Sequence, residues 1–411
     1  MPSLRKRFFR FLSPVVLGVA LVVLAACGNM NTAPQTTFVA QGNGAREILN
    51  LFMPVFWVAV GVFVIVEGLL VWSVIRYRRR PEDGIPLQIH GNTPIEIAWT
   101  IIPAIIVVGI ATLTFRTQGV LVQDGANPLR ITVVGHQWWW EFQYPEYNFV
   151  TANELHIPDN RDIEFALQSQ DVIHSFWFPR LSGKTDVVPG HTNILRFRAD
   201  QVAQSTLIRG ECAEFCGGTH AQMGMFAVVD GPAQFDTWVR QQQQQALVPA
   251  GIAQAAASPG AAVGATAEPQ AQATAAAAAA GATATENESE PDIAATVEPT
   301  ANASPAAQPG GQATTPQGQG YQLFQSKGCV ACHAITGYPG AVSQTGPNLT
   351  HVGSRQHIVA GWLENTPDNM RRWLRDPNEV KPGNVMGSVI KLGTLNNEEI
   401  DALTAYLESL K

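Results

Sequence analysis

The spacing of apolar residues changes character several times along the chain, and each change predicts a different element. The stretch SPVVLGVALVVLAA follows Arg5, Lys6, Arg7 and Arg10 and stops at Cys27. A charged start, a short apolar middle and small residues at the end describe an export leader. Two longer apolar runs, Leu51 to Ile75 and Ile95 to Phe115, each reach the roughly 20 residues that a bilayer-spanning helix requires. From 129 to 230 the period shortens. LRITVVGHQWWWEF, RDIEFALQ, DVIHSFWF and TNILRFRA are β-branched or aromatic runs separated by Pro, Gly, Asp and Asn. They predict the short strands of a sandwich or Greek-key barrel. Residues 241–319 lose all periodicity. After them YQLFQSKGCVACHAI, NMRRWLRDP and NNEEIDALTAYLESL read as helices, the last capped by Asn396 or Asn397 with Glu398 and Glu399 in its first turn.

These patterns divide the 411 residues into a leader over 1–26, a two-helix hairpin over 45–118, a β domain over 125–238, a linker over 241–319 and a helical domain over 320–411. Between the two apolar runs lies RYRRR, with Arg76, Arg78, Arg79 and Arg80. The positive-inside rule puts that loop in the cytoplasm and the flanking ends, with both later domains, on the outer face. The Cys at the end of the leader predicts a lipoprotein signal with Cys27 as the acylated N-terminus; an uncleaved anchor is the alternative.

Charge adds one distinction. The net charge is −7, and nearly all of it sits in the linker, which holds six acids and no Lys or Arg. The acidity therefore points to no basic partner. No basic patch is interleaved with aromatics, so nucleic acid is excluded as a partner. The linker's Ala, Gln, Thr, Gly and Pro cannot bury enough apolar surface to offset chain entropy, which predicts a disordered tether.

The five cysteines supply the chemistry. Residues 212 to 223 read CAEFCGGTHAQM and gather Cys212, Cys216, His220 and Met223 in one loop. Two cysteines alone suit a disulfide or a zinc knuckle as well as they suit copper. The added imidazole and thioether favour copper, because zinc takes thiolate, imidazole or carboxylate. Two thiolates four positions apart can bridge a pair of copper ions, which keeps geometry nearly fixed as the electron count changes. His174, at the centre of DVIHSFWF, is the candidate that completes this set from a different strand; otherwise it is a satisfied core histidine.

Cys329, Cys332 and His333 form CVACH, the C-x-x-C-H signature of covalent c-type haem, with His333 as proximal iron ligand. About 90 residues with three helices around haem suit a small class I cytochrome c. A sixth ligand must reach back. Met386 in KPGNVMGS sits in a predicted loop and Met370 in a predicted helix, so Met386 is preferred, with His351 and His357 as competitors.

Taken together, the two apolar runs, PIEIAWTIIPAII, GHQWWWEF, HSFWFPRLSGKTD, CAEFCGGTHAQM and CVACH with KPGNVM resemble subunit II of a haem-copper cytochrome c oxidase carrying a fused cytochrome c domain, the caa3-type arrangement. The resemblance covers nearly the whole chain. It implies a multi-domain protein: two transmembrane helices, a cupredoxin-like β-sandwich or barrel, a disordered linker and an all-α class I cytochrome c. It implies a binuclear copper centre, CuA, held by His174, Cys212, the backbone carbonyl of Glu214, Cys216, His220 and Met223. The Glu214 side chain would face subunit I and help hold magnesium. Trp138 matches the residue through which electrons reach the copper; without the resemblance it reads as a core Trp. Glu96 matches a carboxylate at the mouth of a proton path into subunit I; its plain alternative is a helix-terminal acid near the interface. One departure stands out: the family has Pro after the haem Met, where this chain has Gly387.

The function so implied is electron input to a respiratory oxidase of the bacterial cell membrane, multi-pass, with both redox domains outside. Partners would be subunit I, subunit III and an external donor, a cytochrome c or another small redox protein. Oxygen reduction and proton pumping would occur in subunit I, since this chain lacks the membrane histidines for them. Competing readings are a copper-containing nitric oxide reductase, a quinol oxidase subunit, which would lack the copper ligands, and a membrane-tethered relay.

Overall fold

The computed structural model describes residues 18, 33–78, 84–85, 91–246 and 315–411. Cys27, all but Gly18 of residues 1–26, Arg79, Arg80 and most of residues 241–319 lie outside the described residues.

The long apolar runs form helices α1 (Asn43–Arg76) and α2 (Thr93–Leu121), of 34 and 29 residues. At 1.5 Å per residue these span roughly 51 and 44 Å, against about 30 Å of bilayer hydrocarbon. Only Gly44 and Ala45 of α1, and no residue of α2, are buried within this chain. Phe63, Ile65, Trp99 and Phe115 point outward. A soluble domain could not sustain such a surface, but lipid or partner helices can cover it. Glu96 lies in the first turn of α2, where the Asn92 side chain caps the Ile95 N–H.

The β domain has ten strands: β1 (Leu129–His136), β2 (Trp139–Tyr144), β3 (Phe149–Ala152), β4 (Glu154–Pro158), β5 (Asp162–Ser169), β6 (His174–Trp177), β7 (Thr185–Val187), β8 (Asn193–Arg198), β9 (Thr206–Cys212) and β10 (Gly224–Asp230). They form two five-stranded sheets, ordered β3-β2-β1-β5-β8 and β4-β10-β9-β6-β7. Alternation along β5 sends Ile163, Phe165 and Leu167 inward, as a half-buried strand requires. They meet Trp140, Phe142, Phe176 and Leu155, all fully buried, between the sheets. This is the predicted cupredoxin-like sandwich. Helix α3 (Pro232–Gln242) closes one side through Phe235 and Val239.

Under α3 lies a polar knot. His156 Nδ1 stands 2.7 Å from Asp230 Oδ2 and its Nε2 3.3 Å from Glu154 Oε1, while Trp238 stacks on the ring at 4.1 Å. Burial pushes the imidazole pKa down, but hydrogen bonds to Asp230 and then Glu154 outweigh it and raise the pKa. A raised folded pKa contributes stability that is complete below the unfolded value of about 6.5 and is lost as pH climbs through the folded value. We therefore expect His156→Gln to be less stable than wild type below pH about 6.5, with the gap closing at alkaline pH. Denaturant titrations at several pH values measure this; a gap that widens with pH would refute it.

In the C-terminal domain, helix α4 (Pro316–Ser326) packs on α8 (Asn397–Ser409), with α5 (Pro367–Arg375), α6 (Pro377–Val380) and α7 (Met386–Val389) between them in sequence. Phe324, Met370, Leu374, Leu403 and Tyr406 form the core. Helix α4 begins before Tyr321, because the Thr315 hydroxyl caps the Gly318 N–H ahead of Pro316. Asn396, rather than Asn397, caps α8, in a capping box with Glu399.

Candidate metal centres

The copper-type ligands converge because adjacent strands bring them there. β6 runs antiparallel to β9 with Phe176 opposite Cys212, and the Ala213 N–H donates to the Ser175 carbonyl at 2.9 Å, continuing the ladder into the loop. His174 thereby lies beneath the turn. Its Nδ1 is 3.9 Å from Cys212 Sγ, and the ligand atoms of His174, Cys212 and Cys216 all fall within 4.8 Å of one another. Cys216 Sγ lies 3.8 Å from Cys212 Sγ, 3.6 Å from His220 Nδ1 and 3.7 Å from Met223 Sδ. The Glu214 carbonyl oxygen is 3.2 Å from Cys212 Sγ.

A disulfide needs sulfurs about 2.05 Å apart, so these thiols are unbonded. They share the site unequally: the contact with Cys216 holds Cys212 well below the ordinary thiol range, and the same contact drives Cys216 upward. Such a strained pair of buried thiols fits a cation that takes both as thiolates. The donor set of two sulfurs, two imidazole nitrogens, a thioether and a carbonyl matches soft copper and leaves no carboxylate donor in the cluster. The residues present fit the group.

Supporting residues not singled out from the sequence fix these ligands. Asp171 Oδ1 lies 2.8 Å from His174 Nε2, which leaves Nδ1 facing the sulfurs. Burial pushes the His174 pKa down, but the hydrogen bonds to Asp171 and Cys212 outweigh it. The three-residue spacing in DVIH was the only available signal. Gly135 is the second: a Cβ there would lie 2.7 Å from His174 Cδ2.

The aromatic triplet divides its duties. Trp140 is the core tryptophan, fully buried, whereas Trp138 is half-buried against the copper loop and donates from Nε1 to the Cys216 carbonyl at 3.0 Å. Gln137 Nε2 donates to the same carbonyl at 2.7 Å. Gly217, at φ +115°, permits this approach; a Cβ would lie 3.0 Å from Gln137 Nε2 and 3.1 Å from Trp138 Cζ2. The Glu214 side chain is exposed beside Phe215 on the outer surface of the loop.

In the helical domain, Cys329–Ala331 forms a single 3₁₀ turn behind Gly328, which takes φ +77°. His333 Nδ1 lies 2.9 Å from the Pro347 carbonyl. With Nδ1 donating, Nε2 is the free ligand atom, a second contact that fixes the tautomer. Burial pushes the His333 pKa down, which favours the neutral ring that an iron ligand requires. Gly346 makes room, since a Cβ would lie 2.7 Å from His333 Cε1.

The four sixth-ligand candidates part company. Met370 is buried in the helical core. His351 Nε2 bonds the Gln244 carbonyl, just past α3, at 3.1 Å, and His357 stacks on Phe226 of β10 at 4.0 Å, so both rings are engaged outside the helical core. Met386 opens α7 at the edge of the core. The departure at Gly387 has a physical reason. Its N–H donates to Asn384 Oδ1 at 2.7 Å, a bond proline cannot make, and a Cβ there would lie 2.4 Å from Asn378 Oδ1.

Two ligand sets of this kind, one for soft copper and one for covalent haem, behind a pair of membrane-length helices define a membrane-anchored electron-transfer protein. Family profiles narrow the class: cytochrome c oxidase subunit II transmembrane domain matches residues 31–117, its periplasmic domain residues 148–230, and cytochrome c residues 318–411. The chain is 32% identical over 403 residues to cytochrome c oxidase subunit 2 of Alkalihalophilus pseudofirmus, covering 96% of both chains. It is 33% identical to that of Bacillus sp. strain PS3, covering 82% of this chain and 80% of the relative. Against that of Bacillus subtilis it is 28% identical over 83% of this chain and 82% of the relative. This chain belongs to the cytochrome c oxidase subunit II family, in the form with a C-terminal cytochrome c domain. Membership implies CuA copper, haem c, membrane anchoring with a periplasmic domain, and a catalytic subunit I as partner.

Proposed function

We propose that the chain feeds electrons from an external donor through its haem-binding domain to its copper loop and on to subunit I, where oxygen is reduced to water with proton pumping. The observation that carries this reading is the convergence of Cys212, Cys216, His174, His220 and Met223 at one barrel end, with four of the sulfur and nitrogen contacts between 3.6 and 3.9 Å. When bound, the copper pair and the haem supply reversible one-electron couples. Cys212, Cys216, His174, His220, Met223 and the Glu214 carbonyl would hold the copper. Cys329, Cys332, His333 and Met386 would hold the haem.

The chain's other residues position and insulate. Asp171 orients His174, Pro347 orients His333, and the surrounding buried side chains exclude water. Trp138 would pass electrons to the copper loop through its contact with Cys216. The exposed Glu214 carboxylate would reach a magnesium ion shared with subunit I, and Glu96 would sit at the mouth of a proton path. In this reading the protein is multi-pass in the bacterial cell membrane, Cys27 is acylated, and subunit III and a small redox protein complete the set of partners. A nitric oxide reductase or a free relay gains no specific support, and a quinol oxidase subunit would lack these ligands.

Purifying the complex through this chain tests the function. The expected preparation contains subunit I and consumes oxygen when given reduced soluble cytochrome c. A preparation that reduces nitric oxide but not oxygen would overturn it.

A further inference from the structure

The helical domain is seated on the copper domain through a set of specific contacts, centred on the loop that carries Met386. Lys381 of KPGNVM is 4% exposed, and its Nζ donates to the Trp138 carbonyl at 2.6 Å. Beside it, Gln222 Nε2 donates to the Val380 carbonyl at 3.1 Å, and Gly383 faces the Thr219 methyl. Farther out, the Gln356 N–H donates to Glu154 Oε2 at 2.9 Å and His357 stacks on Phe226. Ala360 shares a small buried cluster with Trp139 and Ala152. Val359 and Ala360 hold φ of +56° and +55° there, a left-handed conformation that a β-branched residue avoids unless its surroundings enforce it.

An ammonium inside a closed interface is unfavourable unless it makes a strong hydrogen bond, so a buried Lys marks a specific contact rather than general adhesion. We propose that Lys381 is the positioning residue of this docked state: it grips the backbone of Trp138, whose indole grips Cys216, and so sets the register between the haem-binding domain and the copper loop. The two bonds share one residue, Lys381 to the Trp138 carbonyl and Trp138 Nε1 to the Cys216 carbonyl. The same contact covers the Trp138 face. A donor in solution would then reach the copper only through residues 320–411 or when the domain lifts away. This inference rests on the copper and haem assignments proposed above.

The test uses the full chain in its oxidase complex, with Lys381→Met, which keeps the bulk of the stem and removes the donor. Photoreduction of the haem is followed by the reduction of copper. Loss of a charge-assisted hydrogen bond should lower the first-order rate by roughly tenfold or more. The potentials and absorption spectra of both centres should stay as in wild type, because no proposed ligand is touched. Direct reduction of copper by an added soluble c-type cytochrome should rise. An unchanged rate with both spectra intact would overturn the role of Lys381. Absence of either spectrum in the wild-type complex would instead overturn the assignments beneath it. If Lys381→Met does not assemble, Gln222→Leu acts on the barrel side of the same contact, with a smaller loss expected; an unchanged rate there also overturns the proposal.

Discussion

Replacing Cys216 with Ser should abolish the mixed-valence dicopper centre. The Cys216 sulfur touches three other side chains of the proposed ligand set: Cys212 at 3.8 Å, His220 at 3.6 Å and Met223 at 3.7 Å. A serine hydroxyl is a hard donor that stays protonated near neutral pH and cannot bridge two soft ions as a thiolate does. Loss of residues that merely orient a ligand already costs about 10–100-fold in metal affinity, so loss of this shared ligand should cost more. The purple colour and the hyperfine pattern of an electron shared by two copper nuclei should vanish from the paramagnetic resonance spectrum. Copper content should fall, and oxygen consumption with it. Retention of the delocalised signal in Cys216→Ser would break the assignment. An ordinary four-line blue-copper spectrum from the wild-type chain would do so as well.

The second large effect concerns haem. Cys329→Ser together with Cys332→Ser removes both thioether links, so haem should no longer stay with the denatured chain through acid-acetone extraction. Methionine variants then separate ligation from packing. Met386→Ala should lose the sulfur-to-iron charge-transfer band of the oxidised protein while leaving the core of α4, α5 and α8 intact. Met370 is 3% exposed within that core, so Met370→Ala should keep the band and lose about 2–5 kcal/mol of stability. The opposite pattern would exchange the two assignments.

Much of this was legible in the chain itself, for identifiable reasons. The spans, strands and terminal helix follow from apolar spacing, which local geometry dictates. The copper loop and CVACH are contiguous, so their candidate ligands stand together in the chain. His174 required a guess about which strand lies under the loop, and the pairing of Phe176 with Cys212 supplies the reason. What could not be read depends on contacts distant in sequence. Asp171, Gly135 and Pro347 act only through the atoms they meet in space. The reason for Gly387, the bond from its N–H to Asn384, is equally invisible in the chain. Lys381 and Trp138 are 243 positions apart, and nothing in either segment announces the other. The left-handed turn at Val359 and Ala360 was likewise not legible, because neither residue type favours that conformation.

The most direct test of the account is the time course of copper reduction after a flash reduces the haem of the intact, oxidised complex. Oxidation of haem and reduction of copper should proceed together, with a first-order rate that does not change as the protein is diluted. Removing the haem through the paired Cys329 and Cys332 replacements should eliminate that phase while the copper spectrum remains. A rate that scales with protein concentration, or copper that stays oxidised beside a reduced haem, would contradict the claim that this chain carries electrons internally from its haem-binding domain to its copper loop.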